Sequence, residues 1–279
     1  MKTIAILGAG TMGHGIAHVS ALAGYEVGLF DISGEAIDSG LARIKANMEG
    51  GLARGKLGEG DMNAALARIS GGTDLAAICE DVDLVIEAVP ERIELKQELL
   101  SEVQHMTSGI LATNTSSLSI AKIAEAVDDP SRVLGLHFFN PVHIMKLLEI
   151  VVQPRTSAEV LASCKSYGES IGKQCITVRD VPGFATSRLG VCLGMEAIRM
   201  VEQGVASAAD IDAAMVLGYR HPLGPLKLGD LIGLDVRMQV GEYLAKELDN
   251  PAFEPPELLR RMVAEGRLGQ KTGRGFYDW

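Results

Sequence analysis

Short apolar runs recur along the first two-thirds of the chain, and most are followed by a segment whose apolar positions fall three or four residues apart. The runs TIAIL (Thr3–Leu7), EVGLF (Glu26–Phe30), LVIEA (Leu84–Ala88), ILAT (Ile110–Thr113), VLGL (Val133–Leu136), LLEIVV (Leu147–Val152) and Ile176–Val178 read as strands. Helical spacing fits Met12–Ala23, Glu35–Leu52, Asp61–Ile69, Arg92–His105 and Ser157–Ile171. Strand–helix alternation predicts a parallel sheet with helices on both faces. The last strands differ. VLGL and LLEIVV are separated by a link, containing NPVHIM, that is too short for a crossover helix, so these two are expected to pair antiparallel.

The pattern changes near Val181-Pro182-Gly183-Phe184. Beyond it no convincing strand remains. Helices are expected over Ala185–Gln203, Ser207–Leu217, Pro225–Leu248 and Pro256–Glu265, with Ser207 three residues before Asp210 as a capping-box-like start. A boundary near residue 182 therefore divides an α/β domain, residues 1–182, from an all-α domain, residues 183–279.

Composition narrows the class. Of 279 residues, 47% are hydrophobic and 22% charged, enough for a sizeable core and too little charge for a disordered chain. The net charge of -10 gives no sign of nucleic-acid binding, and an anionic ligand would need a local basic patch. The cysteines Cys79, Cys164, Cys175 and Cys192 form no C-x-x-C pair or zinc spacing, and their scarcity fits a reducing compartment. No apolar run reaches the ~18–20 residues of a membrane helix. The N-terminus lacks a signal-peptide pattern. A soluble cytoplasmic protein is expected.

Residues 8–13 read GAGTMG, directly after a strand and opening a helix. In that context a G-x-G-x-x-G is a dinucleotide-binding loop. Gly8 allows the turn, Gly10 lets a pyrophosphate approach, and Gly13 lets the helix pack against the sheet. The N–H groups of the helix start, around Thr11 and Met12, bind the anion. Asp31 ends the second strand, where a carboxylate accepts from the adenosine ribose hydroxyls. It would repel a 2′-phosphate, and Ile32 and Ser33 offer no counter-charge, so NAD is expected rather than NADP. The α/β domain is thus read as Rossmann-like.

The stretch Leu136–Ile150, LHFFNPVHIMKLLEI, carries polar residues in an apolar setting. His137 ends a strand, where ligands bind in open α/β sheets. Glu149 lies on the next strand, and pairing across NPVHIM would bring them together as a general-base dyad. The competing reading is a satisfied buried histidine. Asn140, and the NTSS of Asn114–Ser117 at another strand end, weigh toward a site. His14 and His18, four apart on one helix, have metal-ligand spacing but no third ligand, so a packed or solvated face is preferred.

NTSSLSI, HFFNP, MKLLEI, DIDAAM, HPLGPL, GDLIGLD and KTGRGFYDW resemble the L-3-hydroxyacyl-CoA dehydrogenases over essentially the whole chain. The resemblance implies an NAD-binding α/β domain, a helical domain that makes a homodimer, and NAD-dependent reversible oxidation of an acyl-CoA substrate. It implies His137 as general base, Glu149 as its partner, and Ser116 and Asn140 beside the substrate oxygen. Glu91, Lys96 and Lys271 match positions used around NAD. The chain departs from the family where Ser187 replaces an asparagine that contacts substrate, and where His143 replaces a common proline; His143 is read as a loop residue. Lys45, Arg54 and Lys56 are candidates for the CoA phosphates, weighed against a solvated helix face. A butyryl-type substrate is the default, in fatty-acid or butanoate metabolism. The alternatives are 3-hydroxyadipyl-CoA of aromatic catabolism and a crystallin-like, non-enzymatic NAD-binding protein. A β-hydroxyacid dehydrogenase is disfavoured, because Ala185–Gln203 holds no lysine.

Overall fold

The computed structural model describes residues 1–279. Backbone contacts divide it into two compact units, Met1–Val181 and Pro182–Trp279.

The first unit is built on one eight-stranded sheet. In chain order its elements are β1 (Thr3–Leu7), α1 (Gly13–Leu22), β2 (Glu26–Phe30), α2 (Gly34–Ala53), α3 (Glu59–Ala67), β3 (Ile69–Gly72), α4 (Leu75–Cys79), β4 (Leu84–Glu87), α5 (Ile93–Val103), β5 (Ile110–Thr113), α6 (Ile120–Ala124), β6 (Val133–Phe138), β7 (Leu147–Val152), α7 (Ala158–Ser170) and β8 (Gln174–Arg179). The spatial order is β3-β2-β1-β4-β5-β6-β7-β8. The six strands from β3 to β6 run parallel, β7 pairs antiparallel with β6, and β8 pairs parallel with β7.

Central strands are buried throughout, as their unbroken apolar runs require: Ile4, Ile6, Leu84 and Ile86 are all within 1% of complete burial. Chain order reverses direction across the sheet between β1 and β4. That is the switch point at which the carboxyl ends of such strands leave a crevice.

Several elements differ from the sequence expectation. The helix expected over Asp61–Ile69 stops at Ala67, and Ile69–Gly72 pairs with β2 as an edge strand. ISGG carries no β signature; the strand exists because β2 offers it a ladder. The ladder likewise extends β6 to Phe138, so His137 lies inside a strand. It also lengthens β8 to Gln174–Arg179. The short α4 and α6 were not anticipated; each starts on a side-chain cap, Asp74 and Ser119 respectively.

The second unit comprises α8 (Thr186–Glu202), α9 (Ala208–Ala213), α10 (Pro225–Ile232), α11 (Leu234–Leu248) and α12 (Glu257–Ala264). Its core joins Met195 and Ile198 of α8 to Leu234, Leu244, Leu259 and Met262. The single helix expected over Pro225–Leu248 breaks at Gly233, whose φ of +108° lies where an L side chain rarely goes. The helix expected to Leu217 ends regularly at Ala213 and continues as a π turn over Ala214–Gly218.

Candidate functional site

The glycine loop joins β1 to α1. Gly8 has a φ of +104°. A Cβ on Gly13 would sit 1.7 Å from the Gly8 carbonyl oxygen, so only glycine closes this turn. Gly10 is the opposite case: a Cβ there would meet nothing within 4 Å, because the space above it is open. The start of α1 has no side-chain cap, whereas α2, α6 and α7 are each capped by a serine. Asp31 Oδ2 accepts from Ala9 N–H at 2.9 Å and Oδ1 from Ser33 N–H at 3.2 Å, which ties the carboxylate to the loop. Arg43 of α2, which sequence reading missed, donates to the Ala9 carbonyl at 3.2 Å.

Beside this loop, the ends of β4 and β5 are joined by a buried charge network. Lys96 Nζ donates to both oxygens of Glu87, at 2.8 and 3.0 Å, and both side chains have no exposed surface. Thr113 and the Val89 N–H donate to the same carboxylate. Burial pushes the Glu87 carboxyl upward, against the pull of Lys96 and these two donors. Lys96 also reaches Glu91 Oε2 at 3.4 Å. Glu91 Oε1 in turn accepts from the Thr115 hydroxyl and from the N–H of Ser116 at 3.0 Å. Lys96, expected around the cofactor, is therefore an interior residue that braces Glu91. Through Glu91 it fixes the turn that presents the exposed Ser116.

On the antiparallel pair, His137 stands directly opposite Glu149. Cross-strand partners share a face, so their side chains meet. His137 Nδ1 lies 2.7 Å from Glu149 Oε2, with His137 7% exposed and Glu149 fully buried. Asn114 Oδ1 accepts from Phe138 N–H at 3.0 Å, tying the end of β5 to β6. The loop that follows carries exposed Asn140. Lys173 holds that loop from below, donating to the carbonyls of Val142 and Met145.

A second feature of this unit is a cavity of about 770 Å³. Arg54 and Lys56 line it, with Asn47, His18 and His143. Lys45 does not line it; it pairs with Glu49 across one exposed turn of α2. In the second unit Ser187 occupies the first turn of α8, and Lys271 pairs with Asp235 at 2.6 Å.

The family's NAD-binding domain, described as "3-hydroxyacyl-CoA dehydrogenase, NAD binding domain", matches residues 3–181, and its C-terminal domain matches residues 183–279. The chain belongs to the 3-hydroxyacyl-CoA dehydrogenase family. It is 41% identical over 283 residues to a 3-hydroxybutyryl-CoA dehydrogenase of Mycobacterium tuberculosis, covering 100% of this chain and 99% of that protein. It is 38% identical over 291 residues to the mitochondrial hydroxyacyl-coenzyme A dehydrogenase of Sus scrofa, covering 100% and 91%. The crystal structure of (S)-3-hydroxybutyryl-CoA dehydrogenase from Ralstonia eutropha superposes with a TM-score of 0.97 at 40% identity, covering 100% of this chain and 99% of that one.

A 3-hydroxyacyl-CoA dehydrogenase is an oxidoreductase acting on a CH–OH group, and NAD is its cofactor. The residues present fit that cofactor: the uncapped start of α1 supplies N–H donors, Gly10 leaves the approach open, and Asp31 is preset by the loop. No helix of the chain is long and apolar enough to cross a membrane.

Proposed function

We propose that this dehydrogenase oxidises a short-chain (S)-3-hydroxyacyl-CoA reversibly to the 3-ketoacyl-CoA, with 3-hydroxybutyryl-CoA as the default substrate. The observation that carries the reading is the 2.7 Å contact between His137 Nδ1 and Glu149. It commits one ring nitrogen to a buried carboxylate, so proton exchange with a substrate hydroxyl falls to Nε2. His137 takes the proton from the 3-hydroxyl in oxidation and returns it in reduction. Glu149 fixes the ring and offsets the positive charge that forms on it. Ser116 and Asn140 donate to the substrate oxygen and hold it in place. NAD, when bound, accepts the hydride leaving C3.

Gly8, Gly10, Thr11, Met12, Gly13 and Asp31 hold the cofactor in this reading, with Glu91 and Lys271 near it. Arg54 and Lys56 meet the CoA phosphates, and Ser187 contacts substrate with a shorter reach than an asparagine amide. Residues 1–182 form the cofactor-binding domain, and residues 183–279 form the substrate and dimerisation domain that pairs two copies into a homodimer. A cytoplasmic location accords with four free cysteines. The test is NADH oxidation with acetoacetyl-CoA by the wild type and by His137→Gln. The wild type should turn over, and the variant should lose about 10²–10⁴ in kcat while binding NADH normally. NADH binding without wild-type turnover would instead indicate a structural NAD-binding protein.

A further inference from the structure

The cavity of the first unit has an unusual lining for so acidic a chain. Acidic residues outnumber basic ones 36 to 26, yet no carboxylate lines this cavity. Its polar wall is His18, Asn47, Arg54, Lys56, His143 and Ser170. Two imidazoles form one side. His18 comes from α1 and His143 from the loop between β6 and β7, and their rings stack with centroids 5.3 Å apart and planes 14° from parallel. His18 is only 4% exposed, and its Nδ1 is buried with no hydrogen-bond partner. An orphaned ring nitrogen in a packed interior needs a reason, since buried polar atoms are ordinarily paired.

The titratable groups facing the two rings are all bases. His14 lies one turn back on α1, Arg54 follows the end of α2, and Lys173 lies just before β8. Burial first, and then these neighbours, push His18 down to about 4 and hold His143 below its ordinary value. The pair is thus neutral at pH 7, in a field that would welcome an anion.

We propose, resting on the acyl-CoA reading above, that His143 stacked on His18 binds the phosphate-bearing nucleotide end of the thioester and takes up a proton as that end binds. A negative group against the pair favours its charged form, so binding and protonation are coupled. Arg54 and Lys56 supply charge at every pH, and His143 adds charge that grows as pH falls. At about 770 Å³ the cavity has the size of a ligand site for an extended molecule.

The first experiment is calorimetric titration of coenzyme A into the whole protein, in buffers of different ionisation enthalpy. Proton uptake is expected at pH 6.5. It should disappear in His143→Ala, with affinity about tenfold weaker, as for one lost charge-assisted hydrogen bond. Binding without proton uptake, or no binding, overturns the proposal. The second experiment compares acetoacetyl-CoA with acetoacetyl-pantetheine, which lacks the nucleotide. His143→Ala should raise KM for the CoA thioester alone, leaving kcat in place, and His143→Lys should keep KM low up to pH 8. Equal KM increases for both thioesters would make His143 a loop-positioning residue and overturn the assignment. Coenzyme A that binds with proton uptake to a protein unable to reduce acetoacetyl-CoA would support this site while overturning the proposed reaction.

Discussion

His18 is an imidazole held neutral by its surroundings, and the consequence is a pH dependence of stability. Its value in the folded chain, about 4, lies below the ordinary 6.5. The unfolded chain therefore binds this proton first. The contribution of His18 is fully present above about pH 6.5 and is lost as pH falls toward 4. The span corresponds to roughly 3 kcal/mol as an upper figure. Urea denaturation at pH 7.5 and pH 5 should show a steeper loss for the wild type than for His18→Gln, which cannot titrate. Parallel losses in the two proteins would show that His18 is not the group responsible. Glu149 makes the companion case at the same scale. Glu149→Gln keeps the shape and a hydrogen bond but leaves the imidazolium without its carboxylate. We expect kcat to fall by at least tenfold with KM for NADH within twofold, because the loss falls on the His137–Glu149 contact that assists proton transfer.

At the scale of elements, the β1–α1 turn separates folding from function in two neighbouring glycines. Gly13→Ala forces a methyl into the Gly8 carbonyl, so the variant should unfold at markedly lower temperature. Gly10→Ala meets nothing within 4 Å, so its thermal midpoint should stay near wild type while its affinity for NADH drops at least tenfold. Comparable melting of the two variants would contradict this division. The turn was legible in sequence because its chemistry is local: a strand, three spaced glycines and a helix. The His137–Glu149 dyad was legible for a related reason, since a short link between two strands fixes their register. Elements that depend on a neighbour were not legible. β3 is ISGG, a strand only because β2 lies beside it. The break at Gly233 sits in an apolar run that reads as one helix, and a single positive φ decides it. The same limit applies to site residues. Lys96 is expected around the cofactor, but its buried partners could not be read from the sequence. Only the folded arrangement shows Lys96 donating to both oxygens of Glu87 and to the Val89 carbonyl, with Glu91 3.4 Å away, and only it stacks His18 on His143.

At the scale of the whole molecule, the chain is closed by its last residues. Asp230, at 1% exposure, accepts from Phe276 N–H at 3.0 Å, Tyr277 N–H at 2.9 Å and the Trp279 indole at 3.0 Å. A second buried carboxylate, Asp212, accepts from the Leu226 and Lys227 N–H groups at the start of α10 and from the Tyr277 hydroxyl. Two acids near the end of the sequence thus bind the aromatic tail to the helices of its own unit, and a built Cβ on Gly275 would strike Asp230 at 2.1 Å. The aromatics of the tail are visible in the sequence, but their acceptor lies 46 to 49 residues earlier and only the fold brings Asp230 beneath them. Asp230→Ala removes one acceptor and leaves three donors without it, at about 2–4 kcal/mol in total. The thermal midpoint should fall by roughly 8 °C or more for a unit of about 100 residues. Asp278→Ala, on a side chain 93% exposed, is the control and should melt as the wild type does. If Asp230→Ala melts with that control, the tail is held by its aromatic packing and the carboxylate is incidental.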